Sequence, residues 1–126
     1  MKIGLTSTGK TLDSMMDQRF GRASYFILLD TDTSEFEALP NEASMTAGGS
    51  GTFAAQVIAD KGVSAVITGN VGPNAMNVLK AADIGIYRGY PATINDNIEK
   101  YKRGRLERVD QAGPSHFGLD LKRIKK

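Results

Sequence analysis

Residues 48–88, GGSGTFAAQVIADKGVSAVITGNVGPNAMNVLKAADIGIYR, decide the fold class. A glycine-rich loop opens a run of helical period over residues 52–61, with Phe53, Ala54, Val57 and Ile58 expected on one buried stripe. Residues 63–68 are rich in β-formers, and Gly69, Asn70, Val71 and Gly72 then form a turn signal. Pro73 follows at the position proline favours, the first turn of a helix, and that helix carries Ala75, Met76, Val78, Leu79 and Ala82 on or near its inner side. Residues 84–88 (IGIYR) read as another strand. Helix–strand–helix–strand with short connections predicts parallel strands joined by a right-handed crossover.

Upstream of this stretch, residues 2–7 (KIGLTS) form a first strand with Ile3 and Leu5 on one face. Residues 25–30 (YFILLD) are apolar on both faces, as in a strand covered on both sides. Residues 35–40 (EFEALP) alternate charged and apolar and end in proline, which suits an edge strand paired with its predecessor as a hairpin. Downstream, a last helix begins near Ile94 or Asn95, repeats apolar contacts at Ile98 and Tyr101, and stops at Gly104. The remainder is polar and basic, broken by Gly113 and Pro114. The expected organisation is one domain over residues 1–109 and a flexible basic tail over 110–126.

Composition narrows the possible functions. The chain has 126 residues, 40% of them hydrophobic and 24% charged, in the range of soluble globular proteins. With no cysteine and one histidine, His116, it has no thiolate zinc site, no cysteine-ligated cluster and no multi-histidine metal cage. No apolar run approaches the length of a membrane span, and the N-terminus lacks a signal-peptide core, so a cytoplasmic location is expected. The net charge of +2 conceals an asymmetry: residues 1–99 carry seven Lys/Arg against eleven Asp/Glu, residues 100–126 nine against three. A mildly acidic body ends in a basic segment.

In an open α/β sheet ligands gather at the carboxyl ends of parallel strands. Three segments should meet there: residues 6–10, 48–52 and 68–74. Gly48, Gly49, Ser50, Gly51 and Thr52 let backbone N–H groups approach a ligand, and the helix behind them adds the positive end of its dipole. The run lacks the Gly-Lys-Ser/Thr of a P-loop and the spacing of a dinucleotide fingerprint. Asn70 and Asn74, with Gly72 between them, offer amides beyond what a tight turn requires. Arg19 and Arg22 flank Phe20 and Gly21 and suit planar contact with a carboxylate or phosphate, and Lys10 and Arg88 could add charge. Enzyme templates find little support. Asp13, Asp17, Asp30 and Asp32 lie in or beside loops with no metal geometry, His116 sits in the tail without a nucleophile elbow, and Met15, Met16 and Met45 read as loop or surface residues. Neither a catalytic set nor a metal-ligand set is expected.

Three segments together, QRFGRASYFILLDTDT, AGGSGTFAAQVIADKGVSAVITGNVGPNA and VLKAADIGIYRG, resemble the dinitrogenase iron–molybdenum cofactor biosynthesis family, the small NifX-like domain also found at the C-terminus of NifB-type proteins. The resemblance runs from about Lys2 to Leu106. It implies a three-layer α/β/α fold of RNase H-like type, with a five-stranded mixed sheet of order 3-2-1-4-5 and strand 2 antiparallel to the rest. It further implies a non-catalytic binding or carrier domain for iron–molybdenum cofactor or its iron–sulfur precursor, and the loop chemistry above places Arg19, Gly21, Arg22, Gly48, Gly49, Ser50, Gly51, Thr52, Asn70, Gly72 and Asn74 around an anionic ligand. Where the family pattern has a histidine before FGRA this chain has Arg19, which can pair with an anion and cannot ligate iron. The alternative is a regulatory or protein-interaction domain that has lost cofactor ligation. The expected partners are an anionic small molecule or metallocofactor and a protein of cofactor assembly, with neither membrane nor nucleic acid.

Overall fold

A computed structural model describes residues 1–42 and 49–110. Its strands are β1 (Lys2–Ser7), β2 (Tyr25–Asp30), β3 (Phe36–Pro40), β4 (Ala65–Thr68), β5 (Gly85–Arg88) and β6 (Glu107–Arg108). Its helices are α1 (Ser50–Asp60), α2 (Pro73–Ala81) and α3 (Ile94–Lys102). The six strands form one mixed sheet of order β3-β2-β1-β4-β5-β6. β1, β4 and β5 are parallel neighbours, β2 runs antiparallel to both β1 and β3, and β6 runs antiparallel to β5.

Strand periodicity divides the core in two. Phe26 and Leu28 of β2 and Val66 of β4 join Ala54, Ala55 and Ile58 of α1 and Ala75, Met76 and Leu79 of α2. The alternate residues Ile3, Leu5, Ile27, Leu29, Ala65 and Ile67 meet Ile94 and Ile98 of α3 on the opposite face. Two helices thus cover one face and one covers the other. The central strands are buried on both faces, whereas β3 is largely exposed and guarded by Glu37 and Pro40.

Three expectations need correction. The sheet has six strands rather than five. β6 is only two residues long, one acidic and one basic, so no periodicity betrays it. Its place comes from pairing along β5 and from Leu106 and Val109 packing into the two cores. Phe53 is 48% exposed, because the buried stripe of α1 is Ala54, Ala55 and Ile58. The α1 helix packs closely against α2, a contact that small residues permit and phenylalanine would prevent. Finally, Met16 is buried among the α3-side residues although it lies in a loop. The expected flexible tail falls, from residue 111 onward, outside the described residues.

Candidate functional site

The long connection between β1 and β2 does not hang free but straps the carboxyl ends of the parallel strands. Asp17 N–H donates to Thr6 O at 3.0 Å, and Asn70 N–H donates to Gln18 O at 2.7 Å. The buried Thr6 hydroxyl donates to Asp17 O at 2.6 Å and lies 2.7 Å from the Thr68 hydroxyl. Phe20 anchors the strap in the core, its ring centroid 5.6 Å from that of Phe26. Beyond it, Asn41 Nδ2 donates to Gly21 O and Ala23 O, at 3.2 and 2.9 Å, fixing the turn into β2. The crevice between β1 and β4 is therefore roofed by chain, and the open space is displaced toward α1 and α2.

That space is a cleft of about 240 Å³ lined by Phe20 and Gly21, by Gly49 to Thr52, and by Asn70 and residues 72–75. Two helix N-termini meet in it. Gly49 caps α1 at φ 69°, a left-handed conformation that glycine adopts without strain, and Gly72 caps α2. Neither helix has a side-chain cap, whereas α3 is capped by Thr93, whose hydroxyl accepts from Asp96 N–H at 3.1 Å. The first intrahelical bonds are Phe53 N–H to Gly49 O at 3.0 Å and Met76 N–H to Gly72 O at 2.9 Å. The amides before them, at Ser50, Gly51, Thr52, Asn74 and Ala75, have no acceptor within their own helices. Gly21 closes the third side. A Cβ there would stand 2.8 Å from both Cα and N of Gly51, so the strap rests backbone to backbone on the first turn of α1.

Of the expected site residues, the structure gathers Gly21, Gly49, Ser50, Gly51, Thr52, Asn70, Gly72 and Asn74 around one opening. Gly48 lies outside the described residues. Arg19 and Arg22 are exposed and do not line the cleft. Arg19 is instead bound to Asp17, through Nε and Nη2 to the two carboxylate oxygens at 3.1 Å each, while its backbone N–H reaches Oδ1 at 2.9 Å. Burial raises the Asp17 pKa, but the Arg19 hydrogen bonds and charge outweigh it and hold the carboxyl below the ordinary value; Arg19 is raised in turn by the same pairing. Lys10 lies over the Tyr25 ring, 5.8 Å from its centroid, and Arg88 pairs with Glu107 at 3.5 Å, so neither charges the cleft. Asp30 and Asp32 are turn residues near the N-terminal amine, with Asp32 N–H donating to Asp30 Oδ1 at 2.8 Å. Sequence reasoning missed Phe20 and Asn41 as the parts that hold the strap, and nothing in the pattern around Asn41 signals partners eighteen and twenty residues away.

Among the described residues, the positive potential of the cleft comes from helix dipoles. The described residues that line it include no charged side chain, and each helix end contributes roughly half a unit of positive charge. It offers amide N–H groups, two carboxamides and two hydroxyls, a set suited to an anion held by hydrogen bonds. Among the described residues there is no group of three or more His, Cys, Asp or Glu placed to hold a metal ion, and no helix is long and apolar enough to cross a membrane.

The model of the family described as dinitrogenase iron-molybdenum cofactor matches residues 1–104. The chain belongs to the dinitrogenase iron-molybdenum cofactor family. An uncharacterized protein of Methanocaldococcus jannaschii is 30% identical over 114 residues, covering 87% of this chain and 97% of that one. The orange protein of Desulfovibrio gigas, solved in its apo form, superposes with a TM-score of 0.86 at 31% identity, over 90% of this chain and 96% of that one. A Thermotoga protein provisionally named a NifB protein superposes with a TM-score of 0.81 at 36% identity, over 91% and 98%. The cleft and its strap both lie within the residues matched to the dinitrogenase iron-molybdenum cofactor family.

Proposed function

We propose that this chain is a non-catalytic binding or carrier domain that holds an anionic metallocofactor, or a related small anion, in the cleft between the N-termini of α1 and α2. One observation carries the reading: two uncapped helix ends, in a member of a cofactor family, face a single opening lined by Asn70 and Asn74. An anion seated there accepts from first-turn amides and from carboxamides, each charge-assisted bond contributing about 1.5–3 kcal/mol in a partly dry site. The donor set fits iron–molybdenum cofactor or an iron–sulfur precursor as cargo bound through its outer surface. Thiolate ligation is excluded by composition, and Arg19 cannot ligate iron. Cargo held by hydrogen bonds is released without breaking a metal–ligand bond, which suits transfer between proteins. Nothing in this reading requires a catalytic residue.

Anaerobic titration of the full chain with iron–molybdenum cofactor and with a synthetic iron–sulfur cluster, followed by visible absorbance, tests the proposal. Saturable binding that weakens about ten-fold in Asn74→Ala supports it, one decade corresponding to 1.4 kcal/mol. The chain should also purify colourless and without stoichiometric iron, by elemental analysis of anaerobically prepared protein. The absence of a formal cation from the described lining favours the second reading, a regulatory domain that has lost its cofactor. In that case neither species nor any inorganic anion saturates the cleft.

A further inference from the structure

Opposite the cleft, on the sheet face covered by α3, a groove of about 500 Å³ runs along that helix. It extends from Tyr90 and Pro91, before the first turn, to Arg103 and Arg105, beyond the last, with Lys100 on its wall. Residues 100–105, KYKRGR, hold four cations and no acid. Among the described residues Lys100, Lys102, Arg103 and Arg105 form no ion pair, although Arg19, Arg88 and Arg108 each have one. The negative end of the α3 dipole, about half a unit of charge, accounts for the lysines of its last turn. Arg103 and Arg105 lie past that turn, and among the described residues no ion pair offsets their repulsion of neighbouring cations.

We propose that this groove docks a short acidic segment of a partner protein. Charge complementarity points to the acid. The scarcity of aromatic rings in the groove favours a protein over a nucleic acid. Lys100 Nζ sits 4.8 Å from the Tyr90 ring centroid, and Tyr90 is the one aromatic ring among the described residues that line the groove, so successive bases would find no stacking platform. Asp96 and Glu99 also line the groove and would oppose an unbroken phosphate chain, while a protein segment can place a neutral or basic residue beside them. The nine residues of α3 span about 14 Å, the reach of about four extended residues. A partner engaged here leaves the cleft on the other face open.

The test is titration of the isotopically labelled full chain with a ten-residue peptide of alternating glutamate and serine at low ionic strength, read by amide chemical shifts. Shifts should concentrate at residues 90–92 and 99–106, and affinity should fall at least ten-fold in the double variant R103E/R105E, whose folding is checked by circular dichroism. Shifts confined to residues 111–126 or to the cleft overturn the proposal, as does unchanged affinity in the folded double variant. A twenty-nucleotide thymidine strand binding the same residues ten-fold more tightly than the peptide makes the surface a nucleic-acid site and overturns it. A dimer in sedimentation that R103E/R105E dissolves makes a second copy of this chain the occupant, and overturns it equally.

Discussion

Gly21 has no room for a methyl group. Its Cβ would meet the Gly51 backbone at 2.8 Å, and backbone cannot turn aside as the end of a side chain can. Gly21→Ala should therefore destabilise the chain by about 1–3 kcal/mol, the usual cost of overpacking. Gly51→Ala, whose new Cβ would stand 3.4 Å from the Ala75 methyl, should cost clearly less. Urea melts of the two variants side by side check the order, and equal midpoints would refute the close approach. Asp17 carries a pH dependence whose sign follows from its environment. Its folded pKa lies below the ordinary value, so the pair with Arg19 stabilises the chain above an unfolded pKa of about 3.9, and that stability is lost as pH falls through the lowered folded value. Asp17→Asn should lower stability at pH 7 and flatten the loss below about pH 4. Asp30, lowered by the backbone N–H of Asp32, keeps its own share of the acid dependence in that variant.

At the scale of elements, the uncapped helices set stability against binding. A carboxylate in the first turn of α1 would complement the dipole and stabilise the helix by about 0.3–1 kcal/mol. It would also occupy the donors an anion needs. Thr52→Asp should consequently raise the melting temperature and reduce anion affinity together, measured by thermal melts and by sulfate titration. A variant that gains stability with unchanged affinity would place the anion elsewhere. Because the described lining holds dipoles and amides rather than formal charges, binding in the cleft should depend weakly on ionic strength. Docking along α3, driven by the cluster of Lys100, Arg103 and Arg105 in the groove, should be strongly salt-sensitive.

Across the whole molecule, the last two described turns of chain tie the edge of the sheet together. Leu106 is buried on the α3 side, Val109 packs on the other face with its N–H donating to Ile86 O at 2.8 Å, and Lys80 of α2 donates to Asp110 O. A chain ending after Gly104 should be less stable than one ending after Asp110 by about 2–4 kcal/mol, the cost of losing a buried aliphatic side chain together with edge pairing. Chemical denaturation of the two truncations measures the difference, and coincident curves would show that β6 contributes nothing.

What the sequence determined by itself were the features set by local pattern. Period-two runs marked β1 and β3, a continuous apolar run marked β2, helical runs bounded by glycine and proline marked α1 and α2, and the glycine and asparagine loops marked where backbone could approach a ligand. These follow from backbone sterics and from solvent preference within a few residues. Tertiary structure decided which candidates share one site. Only the fold brings Gly21 onto Gly51, turns Arg19 toward Asp17 and away from the cleft, and recruits Asn41 to hold the strap. Only the fold makes a strand of Glu107 and Arg108, because pairing with β5 replaces the apolar pattern a strand of that length cannot display. Phe53 shows the same division: helical period places it near the inner stripe, but the close packing of α1 on α2 leaves space there for alanine and none for an aromatic ring.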